Sequence, residues 1–311
     1  MLNEFTSVFT REDTSNIPTL NGQPYPSIEN LQIHQDGVTK LLKDLDPNKA
    51  SGPDNIPCRL LKQLIQELSP VVTAICCQSL ESGILPVDWT EAIISPIYKK
   101  GNAANYWPVS LTSVICKVME HIICKHILNY LDLLNILSAF QHGFRRAHSC
   151  ESQLLLIMTD LLYSFDKIQT DVAILDFSRA FDTVPHEHLL RKLDYYDIRG
   201  KIKTWVRSFH CYRQMWVAND VDSPPKARHV RSPARYSSWT NVVPTFYKRV
   251  TTTSHSRYNN TNIRRWLPSI QGNKNTRRPC LSALENWSTK WGMCFNPTKC
   301  NIIKLHRLRT P

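Results

Sequence analysis

One short stretch of the sequence combines a buried-strand pattern with acidic side chains at its end. Residues 171–177 read DVAILDF, so Asp176 lies where a buried strand stops and a helix could start. A carboxylate there can present its oxygens to a hard cation such as Mg²⁺, and two-metal phosphoryl transfer uses such carboxylates. Phe181 follows five residues later and could lie over the same site from the first helical turn. Spacing alone equally allows Asp176 to be the N-cap of that helix.

The apolar pattern on either side of this stretch predicts a helix-rich α+β fold. Helical spacing is found over 38–45, 60–72, 114–123, after Ser149, and over 186–196 and 201–209. A second strand is predicted at 92–98, where Pro96 indicates a sheet edge or a bulge. The periodicity stops after Val221, and an amphipathic pattern returns at Leu281.

The composition is that of a globular protein and gives no sign of a membrane protein. Apolar residues make up 42% and charged residues 21% of the 311 residues. The longest clear apolar run, 71–77, is far short of the ~20 residues that a membrane span needs. The N-terminus lacks a secretory pattern, and the ten cysteines form no C-x-x-C pair. We therefore expect reduced thiols in an intracellular protein, in the nucleus or the cytoplasm.

The positive charge is confined to one segment. The net charge is +12, which by itself would favour a nucleic-acid-binding protein. Residues 223–280 contain twelve Lys and Arg and no Asp or Glu, which leaves 26 basic and 26 acidic residues in the rest of the chain. Whether the net charge indicates nucleic-acid binding therefore depends on the origin of this segment.

Several blocks, in a fixed order, give the chain a family resemblance. They are KASGPDNIP at 49–57, DW at 88–89, IYKKG at 97–101, NYWPVSLTS at 105–113, QHGFR at 141–145 and LDFSRAFD at 175–182. Together they resemble the reverse transcriptases of non-LTR (LINE-type) retrotransposons, and FNPTKC at 295–300 resembles a late block of the palm. The resemblance implies fingers over 37–170, part of a palm over 171–222 and a late-palm remnant over 281–311, after an irregular lead-in at 1–36.

The same resemblance implies an activity and its participants. The ancestral activity is RNA-templated DNA synthesis with two Mg²⁺ ions, an RNA template, a DNA primer and dNTPs. Asp176 resembles the metal-binding aspartate, with the Phe177 carbonyl beside it, and Phe181 resembles the aromatic gate against the nucleotide sugar. The remaining matches are basic. Lys99 and Arg145 resemble fingers residues near the triphosphate or template, and Lys299 resembles the lysine proposed to donate a proton to pyrophosphate.

The chain also departs from the family pattern at three places. Trp107 stands where the family has an arginine, and an indole cannot carry that charge or bind a phosphate through two hydrogen bonds. The Gly-Val-Pro-Gln-Gly motif and the Phe/Tyr-Ala-Asp-Asp hairpin, which supplies the other metal carboxylates, are absent. Asp194 and Asp197 do not replace them, because LDYY at 193–196 belongs to a predicted helix. The expected polymerase is therefore inactive, and the alternative is a non-catalytic RNA-binding remnant.

Both absences fall in the basic segment, and the genetic code accounts for them. Codons read one base later over 231–241 can encode Gly-Val-Pro-Gln-Gly-Thr-Val-Leu-Gly-Pro-Met, and over 263–271 they can encode Phe-Ala-Asp-Gly. We therefore expect two compensating frame slips, near 225–227 and near 279–281, with 223–280 out of frame and disordered. The strand that ends at Asp176 would then have an unpaired edge. A genuine basic tether for nucleic acid is the competing interpretation.

Overall fold

The computed structural model divides into two compact units. The first consists of residues 1–130 and 186–239, and the second of residues 131–185 and 240–311. The structure describes residues 17–20, 24–98, 106–137, 141–143, 145–165, 170–178, 183–210, 213–217, 228–230, 269–271 and 274–305. Helices predominate over two small sheets in these ranges, which confirms the helix-rich α+β prediction.

The first unit contains six α-helices among its described residues. They are α1 (Gln35–Lys43), α2 (Cys58–Gln63), α3 (Ile65–Ser82), α4 (Val114–Leu133, in this unit up to Tyr130), α6 (His186–Tyr195) and α7 (Gly200–His210). The single helix predicted over 60–72 is wrong in one respect. Leu64 has φ −106° and ψ 38°, so the chain leaves the helical conformation there and separates α2 from α3. No residue type at that position signals the break.

The sheet of the first unit has the strand order β2-β1-β4-β5. Its strands are β1 (Glu91–Tyr98), β2 (Tyr106–Leu111), β4 (Arg213–Val217) and β5 (Arg228–Val230). β1 is antiparallel to β2 along its length from Ile93, whereas β4 lies parallel to β1 over Glu91–Ile94 only. Among the described residues, Pro96 therefore lies beyond the part of β1 that β4 covers, which agrees with the sheet edge that this proline predicts.

The face of α7 that the sequence predicted to be apolar forms the core of the first unit. Ile202, Trp205, Val206 and Phe209 are all buried. The Trp205 ring stacks on Phe209 with centroids 5.1 Å apart, and its Nε1 donates a hydrogen bond of 3.0 Å to the Ser79 hydroxyl on α3. A buried indole thus has its polar group satisfied, which a core tryptophan requires.

The loop before α2 passes very close to the end of β2. A Cβ atom added at Gly52 would lie 2.4 Å from the Thr112 carbonyl carbon and 2.5 Å from the Ser113 nitrogen. Both partners are backbone atoms that cannot move aside as a side chain would. The glycine of KASGPDNIP is therefore required by its contact with NYWPVSLTS, and two blocks that the sequence shows as separate motifs pack together.

The second unit has a three-stranded antiparallel sheet and two described helices. They are α5 (Cys150–Phe165), β3 (Thr170–Ile174), β6 (Ser269–Gln271), α8 (Lys274–Lys290) and β7 (Asn301–Leu305), with strand order β6-β3-β7. α5 begins after Ser149, as predicted. The Ser149 hydroxyl accepts the Ser152 N–H at 3.1 Å and the Ser152 hydroxyl accepts the Ser149 N–H at 3.0 Å, which is a reciprocal cap.

One prediction about the basic segment is wrong. β3 is paired on both sides, with Val172 opposite Ser269 in β6 and opposite Ile303 in β7, so it has no unpaired edge over these residues. The described parts of 223–280 are the strands β5 and β6 and the first turns of α8, not loop. Antiparallel ladders are made by backbone groups, which a cationic segment supplies as well as any other. The rest of the segment lies outside the described residues.

The described helices include no candidate for a membrane span, since none of them is both long enough and apolar enough.

Candidate active site

The end of β3 carries Asp176 beyond the last paired residue of the ladder. Ile174, which faces Asn301, closes the pairing with β7, and the chain then continues through Leu175 to Asp176. The residues DVAILDF were predicted as one strand to Phe177, whereas the regular ladder stops three residues earlier. Asp176 is thus placed at the carboxyl end of a buried strand, as the sequence pattern predicted.

A second, very short antiparallel contact fixes the backbone on both sides of Phe177. The Ser178 N–H donates to the Cys294 carbonyl at 2.8 Å, and the Asn296 N–H donates to the Asp176 carbonyl at 2.7 Å. Phe177 and Phe295 face each other between these two bonds, and their rings stack with centroids 4.7 Å apart and an interplanar angle of 16°. The Asp176 carbonyl is engaged by this contact, so the carboxylate is the part of Asp176 that is presented outward.

The strip 294–296 is brought to Phe177 by the end of α8. Leu284, Trp287 and Trp291 are buried at helical spacing, and the Trp287 ring lies 6.0 Å from that of Phe177. Gly292 has φ +63°, and the following Met293 N–H donates to the Ser288 carbonyl at 2.8 Å, which terminates the helix in a left-handed turn. This turn redirects the chain toward Phe177.

The block FNPTKC forms a tight turn that points Lys299 back at Asp176. The Asn296 side-chain oxygen accepts the Thr298 N–H at 3.2 Å and the Thr298 hydroxyl at 2.8 Å. The Lys299 N–H and the Cys300 N–H both donate to the Asn296 carbonyl at 3.1 Å. Asn before Pro is a frequent turn sequence because the asparagine side chain closes the turn and proline fixes its φ.

The two predicted residues that the structure brings together are Asp176 and Lys299. The Lys299 Nζ lies 3.2 Å from the Asp176 Oδ2, with 66% and 47% of the two side chains exposed. An ion pair this accessible contributes little to stability, about 0–1 kcal/mol. Because solvent and ions reach both groups, the pair can open for a competing cation or anion. Its geometry suits a site that exchanges ligands better than a structural bridge.

Comparison with known proteins shows a consistent similarity. Residues 97–242 match the family described as reverse transcriptase (RNA-dependent DNA polymerase). The chain is 26% identical over 282 residues to the RNA-directed DNA polymerase from mobile element jockey of Drosophila melanogaster, covering 85% of this chain and 31% of that protein. The chain is therefore similar over most of its length to reverse transcriptases of non-LTR retrotransposons, and the domain match itself covers residues 97–242.

Other relatives agree with this assignment. The jockey polymerase of Drosophila funebris is 25% identical over 292 residues, which is 88% of this chain and 32% of that protein. The probable RNA-directed DNA polymerase from transposon X-element of Drosophila melanogaster is 32% identical over 161 residues, which is 50% of this chain and 18% of that protein. The chain thus spans about a third of the length of the jockey polymerases that it matches.

The other predicted site residues of the reverse transcriptase domain are not all described. The Arg145 guanidinium forms an ion pair of 3.1 Å with Asp132 at the end of α4, within the second unit. Phe181 and Lys99 lie outside the described residues. Trp107, which replaces the family's arginine, lies on β2 opposite Ile97. The role of each of these residues stays a prediction.

The residues that the structure describes do not fit the two Mg²⁺ ions that the family resemblance implies. Mg²⁺ and its partner metal are held by several oxygen ligands, chiefly carboxylates. In the ranges that the structure describes, no group of three His, Cys, Asp or Glu side chains is placed to hold a metal ion. Asp176 brings one carboxylate, and a lysine ammonium lies against it. A single half-exposed carboxylate does not form a two-metal site.

Two features of the site were missed from the sequence. The stacking of Phe177 on Phe295 joins the two chain segments that make up the second unit, and no local pattern predicts it. The turn at Asn296 did have a signal, because Asn-Pro-Thr is a turn sequence whose side chain closes on the backbone. From that signal a reversal of the chain after Asn296 can be predicted, but not the strand that Lys299 then contacts.

Proposed function

We propose that this chain is a retrotransposon-derived reverse transcriptase domain that no longer synthesises DNA. The ancestral reaction is RNA-templated synthesis from dNTPs on a DNA primer with Mg²⁺. The observation that carries the proposal is the isolated pair formed by Asp176 and Lys299, which lacks a second carboxylate among the described residues. The pattern of the sequence supports it, since the aspartate pair of the family's later motif is missing.

The chemistry of the pair explains why one aspartate is insufficient. Two-metal phosphoryl transfer needs the attacking and the leaving oxygen to be stabilised at the same time. Asp176, together with the Phe177 carbonyl, would contribute to at most one cation position. Lys299 supplies a positive charge and a proton donor next to it, yet a point charge on a flexible side chain does not orient an attacking oxygen. On this proposal the chain lacks the groups that align the attacking and the leaving oxygen.

A primer-extension assay tests this proposal directly. With an RNA template, an annealed DNA primer, dNTPs and Mg²⁺, the protein is expected to extend the primer no more than an Asp176→Asn variant does. The conservative variant keeps the shape of the side chain and removes its charge. Extension by the unmodified chain that disappears in Asp176→Asn would show that a working metal site exists and would overturn the proposal.

We further propose that the missing motifs were lost through frame slips, which the nucleotide sequence of the locus can test. Read one base later between the codons for Lys226 and Pro279, the DNA is expected to encode the glycine-rich motif and then Phe-Ala-Asp. The decisive codons are those of Arg231 and Ser232, which must give Gly and Val in the shifted frame. Any other pair of residues there would mean that the basic segment is a genuine sequence.

The second candidate is an RNA-binding protein without polymerase activity. The observation that favours it is the charge of the segment 223–280, which the protein carries whatever its origin. Lysine and arginine that neutralise phosphates release counterions, so the binding would weaken steeply with salt. Salt-sensitive RNA binding without nucleotide incorporation would distinguish this candidate from an active polymerase.

A further inference from the structure

A cleft of about 440 Å³ lies in the first unit, whereas Asp176 belongs to the second. One wall is α1 with the residues that precede it, and the other is the part of α4 from His121 to Asn129. We call it the α1–α4 cleft. Its volume falls in the range of roughly 300–1,000 Å³ that small-molecule and cofactor sites occupy. It is therefore large enough for one nucleotide.

The lining of the cleft combines an apolar floor with a cationic rim. Leu31, Ile33, Val38, Leu41 and Ile122 supply the apolar surface. The rim is formed by His34 and Lys40 on one wall and by His121, Lys125 and His126 on the other. Asp44 is the one acidic residue in the lining.

This concentration of positive charge is local. Outside the segment 223–280 the chain has equal numbers of basic and acidic residues, so a random patch of its surface would be neutral. By the same count, which leaves histidine out, the lining has two lysines against one aspartate, and its three imidazoles add hydrogen-bonding groups. On α4, Lys125 lies one turn after His121, and burial together with the Lys125 charge lowers the pKa of His121. An anion in the cleft would act on that pKa in the opposite direction.

Hydrogen bonds hold the two walls together before any ligand arrives. The His126 Nε2 lies 2.8 Å from the Glu29 carbonyl, which fixes the orientation of its ring. The Tyr130 hydroxyl lies 2.6 Å from the carbonyl of Pro26 and 2.6 Å from that of Tyr196. These contacts tie the segment before α1 to α4, and Val38 and Leu42 anchor α1 itself through full burial. A pre-formed cleft does not lose affinity to the ordering of its walls.

We infer that the α1–α4 cleft binds a nucleotide unit of single-stranded RNA, with its phosphate at the Lys40 and Lys125 rim and its base on the apolar floor. Apolar surface and imidazole rings accept the face of any base, and lysine ammonium groups bind phosphate as point charges. The inference goes beyond the proposed function. It concerns a second surface, and it stands whether or not Asp176 supports catalysis.

The test compares two double variants with the same change of charge on the same helices. Lys40→Gln/Lys125→Gln removes the rim, and Lys43→Gln/Lys117→Gln removes two lysines of α1 and α4 that do not line the cleft. Binding of a fluorescent oligouridylate of about ten nucleotides is measured against salt. We expect the rim variant to bind about tenfold more weakly and to lower the salt slope by about 1.4, since each lysine contributes about 0.7 on a single strand. The control variant should match the unmodified chain.

A second measurement is needed to show where the RNA binds, because the basic segment 223–280 is present in every variant and also attracts RNA. The imidazole resonances of His121 and His126 are followed by NMR on addition of oligouridylate, uridine monophosphate or inorganic phosphate. Shifts with oligouridylate that the rim variant abolishes support the inference, and equal shifts with the monophosphate would identify a free nucleotide as the source. Equal losses of affinity in the two double variants, or shifts with a polyglutamate peptide but not with oligouridylate, would overturn it.

Discussion

An Arg213→Met variant is expected to lose about 3–5 kcal/mol of its free energy of unfolding. Arg213 and Glu120 both act electrostatically on the buried Cys116 thiol, and removing one of two opposite buried charges leaves the other uncompensated. Arg213 begins β4 and is completely buried, and so is Glu120 on α4. Glu120 is the one buried carboxylate among the described residues. Methionine fills a similar volume, so the loss reports charge rather than an empty cavity.

Three contacts show that Arg213 is tightly held. Its Nε donates to the Phe209 carbonyl at 2.9 Å, and its guanidinium carbon lies 4.2 Å from the centre of the Phe209 ring. The Cys116 thiol links it to the carboxylate, with the Cys116 Sγ 3.8 Å from the Glu120 Oε1. Burial and the Glu120 charge raise the pKa of that thiol, and Arg213 acts on it in the opposite direction.

Urea unfolding followed by circular dichroism measures this effect. The matched control is Arg207→Met on α7, whose guanidinium pairs with Glu187 at 3.0 Å but is about half exposed, so that its loss should be within about 1 kcal/mol. Adding Glu120→Leu to Arg213→Met should restore part of the stability, since no charge is then left unpaired. A double variant less stable than Arg213→Met alone would contradict the electrostatic coupling of these two charges.

The stability of the chain is expected to fall as the pH drops below about 6.5, with His210 a main contributor. His210 is fully buried, and burial, His186 and Arg213 hold its pKa well below the usual value. The unfolded chain then binds a proton on this imidazole at a pH where the folded chain does not. Stability is therefore retained above the unfolded pKa and is lost on acidification, by up to about 1.4 kcal/mol per pH unit for one such group.

Unfolding curves between pH 7.5 and pH 5 should show this slope, and His210→Gln should reduce it. His34→Gln, a change at an exposed position, serves as the control and should leave the slope unchanged. The pKa of His121 is also lowered, by burial and Lys125, so a smaller slope of the same sign should remain in His210→Gln. An identical slope in His210→Gln and the unmodified chain would show that His210 is not the group that titrates.

The sequence predicts those elements whose own residues decide their structure. The buried face of α7 and the long helix α4 follow from apolar spacing, and β1 follows from its run of branched residues. β6 could not be predicted, because three residues of a strand are recruited by the backbone of β3 rather than by their side chains. For the same reason, the charge of 223–280 could not exclude pairing.

The same distinction between local sequence and tertiary contacts applies to the candidate active site. The position of Asp176 at the end of a strand follows from DVAILDF, whereas a role for Lys299 follows only from the family resemblance. The contact between them depends on the stacking of Phe177 on Phe295 and on the turn at Asn296, which are tertiary features. Local sequence has no information about which distant backbone a strand will meet.

The pairing of β3 with β7 has a consequence for the order of events during synthesis. The two strands are on the order of 130 residues apart, so closing the loop between them costs about 4 kcal/mol of chain entropy before any contact compensates for it. At the ribosome's pace of about 5–20 residues per second, Asp176 emerges many seconds before Lys299 exists. Throughout that interval the nascent chain carries β3 without its β7 partner, as an open template for any other extended strand. The time needed to translate the residues between β3 and β7 therefore sets how long β3 lacks this partner and is prone to aggregation.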